Sequence, residues 1–135
     1  MNNRIRVLIA DDQPRARRSL KALLNTLPQI EQVKEAANGC EGIRLIEECQ
    51  PDLAIFDIRM PEMDGLEATR LVRARWPKIK IIVLSMYRDL YSDALTAGAD
   101  AFFSKGEPPQ RFLDSLETLA RQPTRSAGEE SRGLD

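Results

Sequence analysis

At 135 residues the chain has room for one domain with a real hydrophobic core and too little for two ordinary ones. Its 20 basic and 21 acidic side chains give a formal net charge of -1, which leaves no global field to hold nucleic acid or an anionic membrane. No apolar run approaches transmembrane length, the N-terminus lacks the apolar core of a secretory signal, and there is no histidine, the commonest general base and metal ligand.

Ile5 to Ala10 is the first predicted strand, and it ends at Asp11-Asp12. Pro14 follows, a residue tolerated in a first helical turn. Ala16, Leu20, Leu23, Leu24 and Leu27 then keep the spacing of one buried helix face. Arg15, Arg17, Arg18 and Lys21 lie largely off that stripe, as a solvated face or a surface for a partner. Asp12 stands where it can cap the helix, a role compatible with metal binding.

Residues 30–36 alternate weakly and are half polar, which fits an edge strand. Asn38-Gly39 turns the chain into a second helix running to about Cys49, with Ile43, Leu45 and Ile46 as its apolar positions. Cys40 and Cys49 share that helix, where nine residues separate them by roughly 13 Å. A disulfide spans only roughly 4–7 Å between Cα atoms. The cysteines therefore read as free thiols in a reducing cytoplasm.

After Pro51-Asp52, the run Leu53-Ala54-Ile55-Phe56 leads straight into Asp57. A short continuous apolar run reads as a strand buried on both faces, as in a parallel sheet. Asp57 at its end is either a turn residue or a reactive carboxylate on a rigid element. Met60-Pro61 and Asp64-Gly65 follow, then a third helix from Leu66 to about Arg75. Ile79 to Leu84 is the fourth strand, with Ser85 at its end. A fourth helix covers about Leu90 to Ala97, and Gly98 sits where a left-handed C-cap needs glycine. Ala101 to Ser104 is the fifth strand, ending at Lys105-Gly106. Pro108-Pro109 opens a last helix striped by Phe112, Leu113, Leu116, Leu119 and Ala120. Residues 122–135 have almost nothing to bury and read as a disordered tail behind a domain spanning 1–121.

Five strands alternating with five helices predict a doubly wound α/β fold with a parallel sheet in the order 2-1-3-4-5, the weak second strand at an edge. Ligands of such sheets bind at the carboxyl ends of the strands where the order reverses. Asp11, Asp12, Asp57, Ser85 and Lys105 all stand at strand ends. Taken alone, Ser85 reads as a helix cap and Lys105 as a solvated lysine; only their joint placement is a functional signal. Carboxylates about 4 Å apart repel by about 4 kcal/mol at an effective dielectric near 20, so the three aspartates either rise in pKa or recruit a cation. With oxygen ligands only, that cation is Mg²⁺, held by Asp12 and Asp57 directly and by Asp11 through water. A carboxylate can also act as a covalent nucleophile and form an aspartyl phosphate, with Lys105 and Ser85 contacting phosphoryl oxygens.

Asp11-Asp12, Asp57 with Met60-Pro61 and Asp64-Gly65, Ser85, and Gly98-Ala99 leading to Lys105 together resemble the receiver domain of two-component response regulators, over about residues 5–121. The resemblance implies a flavodoxin-like (βα)5 fold. It also implies that Asp57 accepts a phosphoryl group from a histidine kinase or a histidine phosphotransfer protein. The backbone carbonyl of Arg59 would join Asp11, Asp12 and Asp57 around Mg²⁺, and Lys105 would pair with the phosphate. Ser85 and Phe102 would act as the switch pair, with Phe102 in place of the common tyrosine. Arg59 and Tyr87 would flank the path of the hydrolytic water and lengthen the life of the phosphate. Gly106 follows the lysine where many receivers have proline.

The segment from Leu84 to Lys105 is similar to receivers that precede a helix-turn-helix output domain, and none follows in this sequence. The expectation is therefore either a stand-alone receiver or the receiver of a protein whose output half was lost: a cytoplasmic switch without nucleic-acid or membrane binding, and without turnover beyond its own phosphorylation and dephosphorylation. Output would pass through the fourth helix, fifth strand and fifth helix to a protein partner or a second copy. The alternative is a receiver-like scaffold that binds proteins without phosphorylation. A flavin or nucleotide binder would want a glycine-rich loop where Asp11-Asp12-Gln13-Pro14 stands. A haloacid-dehalogenase-type phosphatase would want an acid at Arg59.

Overall fold

The structure, a computed structural model, describes residues 4–121, and the expected tail at 122–135 lies outside the described residues. Five strands form one parallel sheet: β1 (Ile5–Ala10), β2 (Ile30–Ala36), β3 (Leu53–Asp57), β4 (Lys80–Ser85) and β5 (Ala101–Ser104). Their order is β2-β1-β3-β4-β5, as the alternation of elements predicts. The helices are α1 (Pro14–Asn25), α2 (Gly39–Cys49), α3 (Gly65–Arg75), α4 (Tyr91–Ala97) and α5 (Gln110–Arg121). A single 3-10 turn, Arg88–Leu90, leads into α4. Among the described residues no helix is long and apolar enough to cross a membrane.

Period-two alternation along the strands sorts the core into two layers. Val7, Ile9, Leu53, Ile55 and Ile82 point to one face, where Leu24 of α1 and Phe112 and Leu116 of α5 cover them. Leu8, Ala10, Ala54, Phe56, Ile81 and Val83 point to the other, under Ile46 of α2, Ala68 and Val72 of α3 and Ala94 of α4. A sheet covered on both faces needs apolar residues at successive positions, which is why β3 is buried throughout.

The edge strand β2 departs from strict alternation, because Ile30, Val33 and Ala36 are its buried residues. A register shift between Ile5 and Arg6 accounts for this: Ile5 pairs with Ile30 but Arg6 with Gln32, leaving Glu31 as an extra residue. The bulge keeps Ile30 and Val33 on the α1/α5 face while Ala36 turns to the other. Cys40 and Cys49 are both free, near opposite ends of α2.

Two glycines carry backbone demands. Gly98 caps α4 at φ 116°, a region that side chains with a Cβ rarely adopt. Its carbonyl accepts from Nε of Arg73 at 2.9 Å. The same guanidinium reaches the carbonyls of Pro77 (2.7 Å) and Ile79 (3.0 Å) and the carboxylate of Asp100 (2.6 Å). Asp100 in turn accepts from the Ile81 amide at 2.8 Å. One arginine thus pins the end of α3 to the α4–β5 turn and the start of β4.

Gly65 opens α3 directly over the end of β3. Its amide donates to the Ile58 carbonyl at 2.8 Å, and a Cβ there would collide with the Asp57 carbonyl oxygen. Gly65→Ala is expected to cost about 2–3 kcal/mol, because the clash is with backbone and not with a movable side chain. Urea denaturation checks this, with a lower midpoint and an unchanged slope as the expected result; an unchanged midpoint would mean that the loop can yield.

Candidate functional site

The carboxyl ends of β1, β3, β4 and β5 deliver the residues singled out in the sequence to one crevice. Asp11 follows β1 directly and is almost fully buried. All its polar groups are engaged. Its amide donates to the Ala36 carbonyl at 3.1 Å, and its own carbonyl accepts from Nη1 of Arg17 at 2.6 Å. Carboxylate Oδ1 accepts from the Gln13 amide at 2.9 Å, and Oδ2 accepts from Nζ of Lys105 at 2.8 Å. Asp12, half-buried, makes no hydrogen bond or ion pair to any described residue.

The expected capping by Asp12 is not found. Gln13 occupies the cap position of α1, with no side-chain cap bond. The physical reason is the turn closed by Asp11 on the Gln13 amide, which delays the helix by one residue and leaves the Asp12 side chain uncommitted.

Asp57 ends β3 with its side chain 11% exposed, and its Oδ1 lies 3.4 Å from Nζ of Lys105. Carboxylate oxygens of Asp11, Asp12 and Asp57 lie within 4.8 Å of one another. Burial pushes the Asp57 pKa up, and the Asp11 charge adds to this, against the pull of the Lys105 ammonium. Burial alone would lower the pKa of Lys105, but its bonds and charge pairing with Asp11 and Asp57 outweigh that and raise it above 10.5. Three carboxylates around one ammonium leave two negative charges uncompensated when all are ionised. An all-oxygen donor set with that excess fits a hard divalent cation such as Mg²⁺.

Lys105 is held at the crevice by its backbone, whose amide donates to the Ser85 carbonyl at 3.0 Å. Ser85 itself is fully buried at the end of β4, and its Oγ accepts from the Tyr87 amide at 2.9 Å. This is a local turn of the kind that serine favours, but not the expected helix cap, because Tyr87 and Leu90 hold the cap positions of the 3-10 turn and of α4, neither with a side-chain cap bond. Phe102 is half-buried on β5 and meets Tyr91 of α4 edge to face, with ring centroids 5.8 Å apart. Arg59 and Tyr87, both exposed, stack on each other with the guanidinium carbon 4.4 Å from the ring centroid.

Sequence reading placed Arg17 on a basic surface, and here the structure differs. Its side chain is only 17% exposed, bonded to the Asp11 carbonyl and, through Nε, to Glu35 at 3.0 Å. Nζ of Lys21 reaches the same Glu35 at 3.2 Å. The signal available in the sequence was an acidic residue at the end of β2 facing bases one turn apart on α1, but only the packing of α1 beside β2 makes that pairing visible.

The chain matches the family model described as the response regulator receiver domain over residues 7–117. The chain belongs to the response regulator receiver family. This receiver is 40% identical over 111 residues to the transcriptional regulatory protein YhcZ of Bacillus subtilis, covering 81% of the chain and 52% of that protein. It is 36% identical to the nitrate/nitrite response regulator protein NarL of Escherichia coli K12, covering 84% of the chain and 54% of NarL. The chain thus spans about half the length of these curated relatives.

Among solved structures, a LuxR-family two-component response regulator from Aurantimonas matches with a TM-score of 0.81 and 25% identity, covering 98% of this chain and 99% of that one. The response regulator TrrA of Thermotoga maritima, solved in complex with Mg²⁺-BeF, matches with a TM-score of 0.78 and 31% identity over 84% of this chain and 97% of TrrA. As a receiver domain, the chain has a phosphoacceptor signalling role in two-component signal transduction. Receivers of this family take phosphate from histidine kinases and bind Mg²⁺ through acidic residues.

The Arg17–Glu35–Lys21 cluster makes a pH prediction. Burial disfavours the Glu35 carboxylate, but the bonds from Lys21 and Arg17 outweigh it and hold the pKa below 4.5. A carboxyl with a depressed folded-state pKa stabilises above its unfolded value and loses that contribution as pH falls through the folded one. Glu35→Gln is therefore expected to cost about 0.5–1 kcal/mol at pH 7, a partly screened pair. In urea titrations the gap to wild type should close below pH 4.5; a gap independent of pH would assign it to packing.

Proposed function

We propose that this receiver is a reversible covalent switch in which Asp57 takes a phosphoryl group from the phosphohistidine of a histidine kinase or phosphotransfer protein. The observation that carries the reading is the buried Asp57 carboxylate, 3.4 Å from the Lys105 ammonium and clustered with Asp11 and Asp12. In the forward step a carboxylate oxygen of Asp57 attacks phosphorus, and the P–N bond of the donor breaks. The imidazole keeps the bonding pair and takes up a proton. In the reverse step water attacks phosphorus, the P–O bond breaks, and the Asp57 carboxylate is regenerated with inorganic phosphate released. Lys105 binds a phosphoryl oxygen, and the Ser85 hydroxyl turns from the Tyr87 amide to another.

Asp12, Asp57 and the backbone carbonyl of Arg59 would hold Mg²⁺ directly, with Asp11 helping through water. The ion would add positive charge beside the phosphoryl oxygens. The Arg59–Tyr87 stack would stand over the approach of water and slow loss of the phosphate. The receiver unit covers residues 1–121 and works in the cytoplasm.

Output would run through the surface of α4, β5 and α5 to a protein partner or a second copy. Support comes from the distribution of exposed apolar side chains. Among the described residues, Met86, Tyr87, Tyr91 and Leu95 are the exposed large ones, all within ten positions. Movement of Ser85 toward the phosphate would be accompanied by a rotamer change of Phe102, whose contact with Tyr91 would carry the change to that patch.

Incubation with Mg²⁺ and acetyl phosphate is expected to yield an acid-stable, base-labile phosphoryl adduct that Asp57→Asn abolishes. Equal labelling of wild type and Asp57→Asn would sink the reading and leave phosphorylation-independent protein binding in its place. Once labelled, a double variant Arg59→Ala/Tyr87→Ala should lose phosphate about tenfold faster, which corresponds to about 1.4 kcal/mol of barrier. An unchanged decay rate would remove both residues from that role.

A further inference from the structure

We propose that Arg17 is a positioning residue for the acidic crevice, fixing the β1–α1 loop so that Asp12 stands free to meet a divalent cation beside Asp11 and Asp57. The proposal rests on the reading of the crevice as a Mg²⁺ site.

The helix that follows the acidic pair has Pro14 at its first position but lacks two other usual supports. Gln13 at the cap position makes no side-chain cap bond, and the first turn of α1 holds no acidic residue. Arg15, Arg17 and Arg18 instead crowd the positive end of the helix dipole, where cations are unfavourable. A helix start of that kind frays unless something else ties it down.

Arg17 is what ties it. Its neighbours Arg15 and Arg18 are exposed, whereas its own side chain is 17% exposed and makes two directed bonds. Nη1 donates to the Asp11 carbonyl at 2.6 Å and Nε to Glu35 at 3.0 Å. The guanidinium therefore joins the end of β1, the first turns of α1 and the end of β2. Charge-assisted bonds from a planar fork fix direction as well as distance.

The consequence falls on Asp12. With the amide, carbonyl and carboxylate of Asp11 all bonded, the chain has no freedom at the residue before it. Asp12 remains half-buried and unpaired, a carboxylate held ready rather than satisfied. Glu35 adds a second effect. Shared with Lys21, it offsets part of the charge of the two bases, so that the guanidinium can brace the loop with less repulsion of a cation at the carboxylates. Loss of Glu35 would leave the brace looser and two positive charges, Arg17 and Lys21, without their shared carboxylate.

Mg²⁺ titration of the full chain by calorimetry, with thermal unfolding run in parallel, tests this. Arg17→Ala should raise the Mg²⁺ Kd about tenfold, in the range that partners of metal ligands command. Arg17→Lys and Glu35→Gln should give smaller losses of the same sign. Arg15→Ala, an exposed control, and Leu113→Ala, a destabilised control on α5, should leave the Kd unchanged. Acetyl phosphate labelling of Arg17→Ala should recover when Mg²⁺ is raised far above the new Kd.

A lower unfolding midpoint with an unchanged Mg²⁺ Kd would overturn the proposal and make Arg17 a purely structural residue. If Arg17→Ala does not fold, Arg17→Lys and Glu35→Gln decide by the same criterion. Should wild type bind no Mg²⁺, or Asp57→Asn and Asp12→Asn bind it as wild type does, the reading of the crevice fails and this proposal goes with it. Binding that needs those aspartates but ignores Arg17 refutes the proposal alone.

Discussion

The ammonium of Lys105, set between the carboxylates of Asp11 and Asp57 at 2.8 and 3.4 Å, is the interaction on which the crevice depends. It places a positive charge between two nearly buried carboxylates that would otherwise face each other uncompensated. The sheet order makes the contact possible. Parallel strands bring all their carboxyl ends to one edge, and β3 lies between β1 and β4, so residues 94 positions apart in the chain meet there. The Lys105 amide bonded to the Ser85 carbonyl then sets the height of the ammonium above the strand ends.

Rigidity around Asp57 comes from both sides. Below it, β3 is buried along its whole length between two apolar layers. Above it, Gly65 approaches so closely that α3 rests on the Asp57 carbonyl. At its far end α3 is fastened by Arg73 to the α4–β5 turn and the start of β4. One helix therefore runs from the crevice to the base of the segment carrying the exposed Tyr91 and Leu95. The proposed switch residues are held by local contacts instead: Ser85 in a turn with the Tyr87 amide, and Phe102 edge to face with Tyr91.

Much of this was legible in the residues. The run Leu53 to Phe56 ending at Asp57 reads as a strand buried on both faces because no polar residue interrupts it, and β3 has those bounds. The strand-end positions of Asp11, Ser85 and Lys105 follow from the same reading, and the structure brings them together. Element starts were less legible. β4 begins and ends one residue later than its apolar run, and α5 begins at Gln110 after the two prolines. Asp12 could be taken for a cap because capping preference is local, whereas the bond that displaced it involves Asp11 and a loop shape. The bulge in β2 has no local signature, since it arises where β1 and β2 are fitted together.

What the sequence determined by itself is what depends on neighbouring residues and on periodicity: five strands, five helices, their alternation, and a set of carboxylates, a hydroxyl and an ammonium at strand ends. Hydrophobic spacing encodes which face each element buries, and that is enough to order a doubly wound sheet. Tertiary structure alone decided which charges meet. Arg17 and Lys21 look like two more bases on a solvated helix until α1 packs beside β2 and places Glu35 within 3.0 and 3.2 Å of them. Charge pairing acts over a few ångströms in space and leaves no period along the chain. The free Asp12 carboxylate, and the brace that keeps it free, could be read only from the fold.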